Sequence, residues 1–269
     1  MSIEAKIIAD SISPGGVRLT TMQVKYQRFV IPEMNTHRVF SRSYSSSRAI
    51  PAAKLIEQVR NDPAMPIRFG KNKPGMQAAE DLAGDDLREA QELWVKAANI
   101  AADLCEEMSE KGVHKQISNR LIEPYIWVHG VISSTEWDNF YNLRCHPDAQ
   151  PEFQFLAVTM REVQNASTPK LLEVGEWHLP YLSEDEKLKL DPLIARMCSS
   201  ARCARVSYLR HDGETPSIDD DVALFNRLAG SDPKHLSPLE HVATPQADSY
   251  FWGGNFRGWQ QFRSDISDS

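Results

Sequence analysis

Residues 36–48 read THRVFSRSYSSSR and contain three arginines, one histidine and five serines. Arginine presents a planar fork of donors to phosphate or carboxylate, and serine hydroxyls with free backbone N–H groups complete an anion-binding loop. None of these polar side chains helps to build a hydrophobic core. The composition therefore predicts a binding site for a small anion, although a solvated loop or a phosphorylated segment shares it.

The same stretch resembles the Arg-His-Arg-x7-Ser signature of the flavin-dependent thymidylate synthases. His37, Arg38 and Ser46 fit the signature, and Arg48 stands where that family also tends to carry an arginine. Thr36 occupies the position of the first arginine.

Four further segments carry the resemblance. Residues 119–124, NRLIEP, are similar to the family's Arg-x-x-x-Pro segment. Residues 139–144, NFYNLR, followed by the Ala-Gln pair at 149–150, are similar to its Asn-x-x-Asn-Leu-Arg helix. Residues 204–208, ARVSY, and residues 237–241, SPLEH, resemble two segments with which family members usually begin.

We call residues 36–48 the basic loop. The order of the segments differs from that of the family, because residues 204–208 and 237–241 follow the basic loop instead of preceding it. The chain is therefore interpreted as a circularly permuted, phage-type member, which is physically feasible when the original termini lie close together at the surface. The resemblance implies one α/β (α+β) domain over residues 1–269, with a central, mostly antiparallel sheet flanked by helices. Residues 62–112 are a possible helical elaboration, since residues 62–97 have no recognised counterpart.

Apolar periodicity predicts the main elements. Residues 17–30 alternate as a strand that leads into the basic loop through a helix, and Pro51 suits the first turn of another helix. The proline-rich residues 62–75 predict an irregular loop. A long helical zone spans residues 77–111, and two more helices are expected at 136–145 and 152–163. We expect the apolar residues of the long zone to face the core; they are Leu82, Leu87, Ala90, Leu93, Trp94, Ala97, Ile100, Ala101, Leu104 and Met108.

Composition favours an enzyme over a nucleic-acid binder. A chain of 269 residues can bury a sizeable core, and its net charge of −7 argues against binding to a phosphate backbone. The four cysteines and eight histidines show no zinc spacing, so no metal is expected. No signal peptide or membrane segment is recognised, and the expected location is the cytoplasm, or the host cytoplasm for a phage protein.

The resemblance implies noncovalently bound FAD, NADPH as its reductant and methylenetetrahydrofolate as the one-carbon donor. It implies that Arg144 polarises a pyrimidine, and that the nucleotide-binding residues are Ser46, Ser47, Arg48, Arg120 and Arg144. The flavin contacts that it implies are His37, Arg38, Asn139, Ser207 and His241. It also implies a homotetramer with active sites between subunits.

Other interpretations of these residues stay open. Arg120 and Arg144 can be surface cations, Ser207 and Asn139 helix caps, and His241 a core histidine whose ring nitrogens are satisfied. Cys145 is an alternative nucleophile, because Arg144 and His146 adjoin it in the sequence.

The expected reaction is methylation of dUMP to dTMP. Thr36, residues 43–44 and residues 133–135 depart from the family pattern, so dUMP or dCMP hydroxymethylation and dCMP methylation are alternatives. A non-catalytic nucleotide-binding or structural protein and a nucleic-acid-binding module are further alternatives. Residues 75–77, 114–116, 177–180 and 254–259 combine glycine, aromatic and polar residues; they are candidate walls of a folate pocket, or turns and core.

Overall fold

The computed structural model describes residues 3–78, 80–208 and 216–267. Its helices are α1 Ile31–Asn35, α2 Ala52–Asn61, α3 Gly84–Glu110, α4 Lys115–Ser118, α5 Asp138–Arg144, α6 Pro151–Asn165, α7 Glu184–Lys189, α8 Pro192–Ala204, α9 Ile218–Ala229 and α10 Phe262–Ser267. Its strands are β1 Glu4–Ile12, β2 Arg18–Gln27, β3 Ser41–Tyr44, β4 Trp127–Ser134, β5 Lys170–Leu171, β6 Ala243–Pro245, β7 Trp252–Gly253, β8 Phe256–Arg257 and β9 Trp259–Gln261. Short 3₁₀ segments lie at Arg28–Val30, Asn119–Tyr125, Arg205–Tyr208 and Ser237–His241.

The main sheet has the order β3-β4-β2-β1-β5. All neighbours are antiparallel except the short β5, which pairs in parallel with β1. The expectation of an α/β fold with a mostly antiparallel sheet is confirmed. The expected strand over residues 17–30 is β2, which stops at Gln27 because a 3₁₀ turn and then α1, with Pro32 in its first turn, redirect the chain toward the basic loop.

Each face of the sheet packs against a different part of the chain. Met22 and Tyr26 on β2 belong to one buried cluster with Phe140 of α5 and Leu156 of α6. On the opposite face, Val131 of β4 packs against Cys203 and Val206 from the C-terminal part of the chain. The sheet is therefore covered on both sides, which explains why β2 is buried along almost its whole length.

The long helical zone begins later than predicted, and its core face is different. Leu93, Ile100 and Leu104 were expected in the core, yet they are 58%, 50% and 48% exposed. The helix instead buries Ala98 and Ala102 against α2 and the 3₁₀ segment Asn119–Tyr125, together with Cys105. Small side chains at the contact let the helices approach closely, so the buried stripe is rotated away from the larger apolar residues.

The other predicted helices are present with shifted ends. Pro51 immediately precedes α2, and the helices expected at residues 136–145 and 152–163 are α5 and α6. Within the described ranges, no helix combines the length and the apolar character that are needed to cross a membrane.

A buried ionic cluster organises the C-terminal part of the chain. Asp221 of α9 is fully buried and accepts hydrogen bonds from Arg202 at 2.7 Å and from Arg205 at 3.0 and 2.8 Å. Arg202 also pairs with Glu186 at 2.6 Å. The contacts of Arg202 and Arg205 with Asp221 join the end of α8 to α9. A buried carboxylate or guanidinium without a partner of opposite charge would be costly.

Replacing Asp221 with asparagine should reduce the free energy of unfolding by about 3–5 kcal/mol, since it leaves Arg205 without its carboxylate partner and Arg202 with Glu186 alone. Urea denaturation followed by circular dichroism measures this change. Asp185→Asn is the control, because the Asp185–Lys189 pair is solvent-exposed and should contribute at most about 0.5 kcal/mol. A small effect of Asp221→Asn, similar to the control, would contradict the role of the cluster.

Candidate functional site

Arg144 and His37 form the centre of one polar group beside the sheet. Arg144 Nε donates a hydrogen bond to His37 Nε2 at 3.0 Å, and its Nη2 donates to Thr36 Oγ1 at 3.2 Å. The guanidinium carbon lies 4.9 Å from the centroid of the Phe153 ring. We call Thr36, His37, Arg144 and Phe153 the Arg144 group. It joins the start of the basic loop to the last turn of α5.

The His37 ring in this group is neutral at physiological pH. Burial, the charge of Arg144 and the charge of Arg42 lower the pKa of His37 to about 4. Because a guanidinium can only donate, Nε2 of His37 must be unprotonated, and the ring proton therefore lies on Nδ1. The ring also packs against Phe40 and Phe140, with centroids 5.6 and 5.0 Å away.

The charge of Arg144 is not neutralised by the protein. Both of its hydrogen bonds go to uncharged acceptors, and it forms no ion pair with any residue in the described ranges. The side chain is half-buried and lines a cavity of ≈ 640 Å³. Arg144 is therefore a positioned cation that a ligand oxygen can approach.

A second polar group surrounds Glu123. Its Oε1 accepts hydrogen bonds from Ser47 at 2.5 Å and from Arg120 at 2.9 Å, and Arg28 lies 3.1 Å away. Burial raises the pKa of Glu123, but the Ser47 hydroxyl and the two guanidinium groups outweigh it, so the pKa is lowered overall. We call Ser46, Ser47, Arg48, Arg28, Arg120 and Glu123 the Glu123 group.

The two remaining nucleotide candidates lie at the edge of the Glu123 group. Ser46 is half-buried, and its backbone N–H donates to the carbonyl of Ser207 at 3.1 Å. The Arg48 side chain is exposed and makes no ion pair within the described part of the chain. Ser47 and Arg120 are thus brought together at Glu123, where Arg28 and Arg120 face one carboxylate. Ser46 and Arg48 adjoin Ser47 in the sequence, and Arg48 has no contact with Glu123.

The Arg144 group and the Glu123 group use residues on opposite sides of β3 in the sequence. His37 precedes this strand and Ser46 follows it, and the four residues of the strand span roughly 13 Å when extended. Among the described residues no hydrogen bond or ion pair connects the two groups. The resemblance assigned Arg144 of the first group, and Ser46, Ser47, Arg48 and Arg120 of the second, to one nucleotide, whereas it assigned His37 to the flavin.

The chain matches the family described as "Thymidylate synthase complementing protein" over residues 16–170, more than half of its length. The chain belongs to the flavin-dependent thymidylate synthase family. This membership confirms the resemblance inferred from the motifs. The family is flavin-dependent in general.

Two similar solved structures are of the UMP/dUMP methylase PolB from Streptomyces cacaoi. The structure bound with 5-Br dUMP has a TM-score of 0.51 at 15% identity, and the match covers 61% of this chain and 90% of that chain. The structure bound with 5-Br UMP has a TM-score of 0.50 at 15% identity, covering 61% and 89%. At this identity the likeness shows a shared fold. No curated protein matches the chain significantly.

The residues that the resemblance implied as flavin contacts lie in different environments. Arg38 and Asn139 are exposed, whereas Ser207 is half-buried and holds Ser46 through its carbonyl. His241 is fully buried, and its ring nitrogens lie 3.0 Å from Ser43 Oγ and 2.8 Å from Ser133 Oγ. Its ring therefore offers no exposed surface in this structure.

His241 belongs to a hydrogen-bonded chain that crosses the sheet. From Ser133 the chain continues to Thr21 Oγ1 at 2.6 Å and then to His178 Nε2 at 2.8 Å. Nδ1 of His178 lies 2.8 Å from Ser11 Oγ. We call Ser43, His241, Ser133, Thr21, His178 and Ser11 the cross-sheet chain. All six side chains are buried, and together they connect four strands to two C-terminal segments.

The unassigned motifs now have structural places. His178 is the partner of Thr21, and Trp259 is a fully buried core residue. Residues 254 and 258 are glycines with φ of 68° and 69°, which suits the turns around β8. His114 caps α4 by accepting from the N–H of Gln116. The segments around His114, His178 and Trp259 therefore contain cap, turn and core residues, whereas Met76 and Gln77 line the cavity beside Arg144.

Sequence reasoning missed the contacts of Glu123 and Thr36. Glu123 lies inside the Arg-x-x-x-Pro segment, so its proximity to Arg120 at i+3 was a usable signal. Thr36 was noted only as a missing arginine, whereas its hydroxyl accepts from Arg144.

For the alternative nucleophile Cys145, burial raises the pKa of the thiol, which disfavours a thiolate.

Replacing Arg144 with glutamine should raise the pKa of His37 above its value of about 4, because it removes a neighbouring positive charge. The expected increase is at most about one pH unit. The pKa should stay below the ordinary value because burial persists. Histidine-selective NMR titration measures the shift. Arg161→Gln, an exposed change on α6, should leave His37 unaltered. An unchanged titration in Arg144→Gln would show that the guanidinium does not lie beside the ring.

Acid should destabilise the protein through the cross-sheet chain. Burial lowers the pKa of both His178 and His241 to about 3, whereas the unfolded chain binds these protons near pH 6.5. Stability is therefore present above pH 6.5 and is lost as the pH falls toward 3, by up to about 1.4 kcal/mol per pH unit for each histidine. Urea denaturation between pH 7 and 5.5 measures this slope. His241→Asn should reduce this slope by up to about 1.4 kcal/mol per pH unit, because one histidine fewer binds a proton on unfolding. An identical slope would contradict the buried neutral state of His241.

Proposed function

We propose that this protein transfers a one-carbon unit from methylenetetrahydrofolate to C5 of a pyrimidine deoxynucleotide monophosphate, converting dUMP to dTMP with FAD and NADPH. The observation that carries the proposal is the un-neutralised Arg144, oriented by the neutral His37 and by Thr36 at the wall of a cavity. Family membership and the PolB structures, which hold 5-Br dUMP and 5-Br UMP, support the substrate class.

Arg144 can supply the activation that C5 of a pyrimidine requires. C5 is a weak nucleophile, so the ring must either add a thiolate at C6 or be polarised electrostatically. Burial raises the pKa of all four cysteine thiols, which disfavours the thiolate form. Three of them are buried and Cys145 is half-buried; the three are Cys105, Cys198 and Cys203. Polarisation by Arg144 is therefore the better-supported route. C5 forms a bond to the donor's methylene carbon while the bond from that carbon to a folate nitrogen breaks, and the C5 proton then leaves. The transferred methylene would become methyl by accepting a hydride from bound reduced flavin.

Arg144 also favours uracil over cytosine. A guanidinium only donates hydrogen bonds, and the group at position 4 is an acceptor oxygen in uracil but a donor amino group in cytosine. Facing that position, Arg144 stabilises the negative charge that develops on O4 of dUMP, while the amino group of dCMP opposes it. The similar PolB structures are of a UMP/dUMP methylase, which supports methylation as the proposed outcome.

The Glu123 group suits the phosphate of the nucleotide. Arg28, Arg48 and Arg120 outnumber the single carboxylate of Glu123, so the group keeps a positive charge for a phosphate dianion. Glu123 orients Ser47 and Arg120 before the ligand arrives. The N–H of Ser46 is already used by Ser207, which leaves the Ser46 hydroxyl for the phosphate.

The residues near the Arg144 group fit a flavin dinucleotide. Arg38 and Asn139 are exposed, and Arg38 has no carboxylate partner within the described ranges. A guanidinium and an amide are the donors that a diphosphate and a flavin edge accept from. When bound, reduced flavin supplies the reducing equivalents. We place the neutral His37 ring beside the flavin. We assign Ser207 and His241 an indirect role, because Ser207 holds Ser46 and His241 holds Ser43.

We further propose that each complete site is shared between two subunits of a homotetramer. The Arg144 group of one subunit would then face the Glu123 group of another, which overcomes their separation by β3 within one chain. Exposure of Arg38, Arg48 and Asn139 supports this arrangement, since all three are available to a neighbouring subunit.

Arg144→Ala should lower the rate of tritium release from C5-labelled dUMP at least about 100-fold, because the polarising donor is lost. Arg48→Ala should instead weaken dUMP binding about tenfold, through loss of a phosphate contact. Both variants should keep the unfolding midpoint of the wild type, since neither side chain is buried in the core. Retained turnover in Arg144→Ala would remove the proposed role.

Mixed tetramers of the two variants test the shared site. If each site uses Arg144 of one subunit and Arg48 of another, mixing Arg144→Ala with Arg48→Ala after mild dissociation should give a rate above the average of the two separate variants, assayed at a dUMP concentration well below the wild-type Kd. Mixing Arg144→Ala with Arg144→Gln is the matched control and should restore nothing. No recovery in the first mixture would place both arginines of a site in one chain.

A further inference from the structure

Arg42 is the arginine of the basic loop to which the family signature gives no role. It lies on β3 and is half-buried. Successive side chains of a strand point to opposite faces of the sheet, and Ser43 faces the C-terminal segments. Arg42 and Tyr44 therefore face the other side, which is the side on which His37 packs against Phe140.

Two successive turns connect α1 to β3 and carry both acceptors of Arg144. In the first turn, the N–H of His37 donates to the carbonyl of Met34 at 3.3 Å. In the second, the N–H of Phe40 donates to the carbonyl of His37 at 3.2 Å. Thr36 lies inside the first turn. These local bonds close each turn, but they do not fix the turns relative to β3.

Arg42 joins the two turns to β3 through a single nitrogen. Its Nη1 donates to the carbonyl of Met34 at 2.8 Å and to the carbonyl of His37 at 3.2 Å. A terminal guanidinium nitrogen carries two hydrogens, so one atom can serve both carbonyls at once. Each of these carbonyls also closes one of the turns. Arg42 therefore holds the whole segment that carries Thr36 and His37.

The position of this segment sets the direction of the Arg144 guanidinium. Nε of Arg144 donates to His37, and Nη2 donates to Thr36. Phe153 packs against the guanidinium carbon at 4.9 Å, but a ring face does not determine where the N–H groups point. A displacement of about 1 Å at a reacting group can lower a rate about 100-fold. The two turns must therefore stay in place for Arg144 to polarise a ligand.

The charge of Arg42 acts on the same contact. Arg42 forms no ion pair with any residue in the described ranges. Together with burial and the charge of Arg144, its positive charge lowers the pKa of His37. A neutral ring leaves Nε2 of His37 able to accept from Arg144. Arg42 thus supports this hydrogen bond by holding the backbone and by disfavouring protonation of the ring.

We propose that Arg42 is a positioning residue for Arg144, which it orients by fixing the two turns that precede β3. Arg42 itself is assigned no contact with a ligand. The proposal rests on the proposed function, because the direction of Arg144 affects turnover only where its guanidinium polarises a pyrimidine. Its structural part, the control of the contact between Arg144 and His37, can be tested without any substrate.

The first test is the coupling between Arg144 and His37, measured by histidine-selective NMR titration of the substrate-free protein. The coupling is the rise in the pKa of His37 that Arg144→Gln causes, which is at most about one pH unit. In the Arg42→Met background this rise should fall to less than half, because the two side chains are no longer held in contact. Methionine keeps a long side chain in the same space and removes the charge and the donors.

Two further variants serve as controls for this coupling. Arg42→Lys keeps the charge and can still donate to a carbonyl, so it should retain most of the coupling. Arg161→Met, an exposed change on α6, should retain all of it. Should Arg42→Met fail to fold, Arg42→Gln takes its place with the same expected result, because its shorter side chain does not reach both carbonyls.

The second test is a double-mutant cycle on tritium release from C5-labelled dUMP. Arg42→Met alone should lower kcat about tenfold, because Arg144 is no longer directed at the base. The KM for dUMP should change less than about twofold, since the Glu123 group is unaltered. In the Arg144→Ala background, Arg42→Met should lower the residual rate less than about twofold, because no guanidinium is left to orient.

The outcomes separate positioning from a purely structural role. Equal coupling in the wild type and in Arg42→Met would overturn the proposal, and so would an equal loss of rate in both backgrounds of the cycle. Reduced coupling in Arg42→Met with no tritium release from the wild-type protein would support the control of Arg144 by Arg42 and contradict the proposed function.

Discussion

The rest of this structure depends on the burial of two neutral histidines at the centre of the sheet. A buried ring nitrogen needs a hydrogen-bond partner, and serine or threonine hydroxyls can act as donor or acceptor, so they match either tautomer. His178 and His241 use all four ring nitrogens in this way, contacting Ser11, Thr21, Ser133 and Ser43. Segments distant in sequence are thereby held to four neighbouring strands.

This constraint places the basic loop. Ser43 lies on β3, one end of the cross-sheet chain, and Ser46 follows two residues after β3 and bonds to the carbonyl of Ser207. The C-terminal segments thus hold β3 in place. Arg38 and Arg48 are exposed, while Arg42 donates to the carbonyls of Met34 and His37. His37, before β3, is neutral for the same physical reason as His241, since burial disfavours the charged ring. A neutral acceptor can orient Arg144 without neutralising its charge.

Motifs in the sequence were sufficient for the family and the fold class, and periodicity located β2, α2, α5 and α6 within a few residues. The buried face of α3 was predicted wrongly, because Ala98 and Ala102 contribute little to an apolar pattern yet permit close helix packing, while Leu93 and Ile100 lie outside. Residue types therefore indicated a helix but not its orientation. Likewise, Glu33 and Trp94 carried no motif, and the cavity that they line beside Arg144 arises from elements that are distant in sequence.

By itself, the sequence determined that a segment rich in arginine and serine belongs to a mostly antiparallel α/β fold of this family, because residue type and spacing carry that information directly. Only the tertiary structure decided which of those residues meet. It pairs Arg144 with His37, gathers Ser47 and Arg120 around Glu123, keeps the two groups apart, and withdraws His241 into the core. The reason is that contact and burial depend on chain segments far apart in sequence, and the pKa and the hydrogen-bond partners of a side chain follow from that burial.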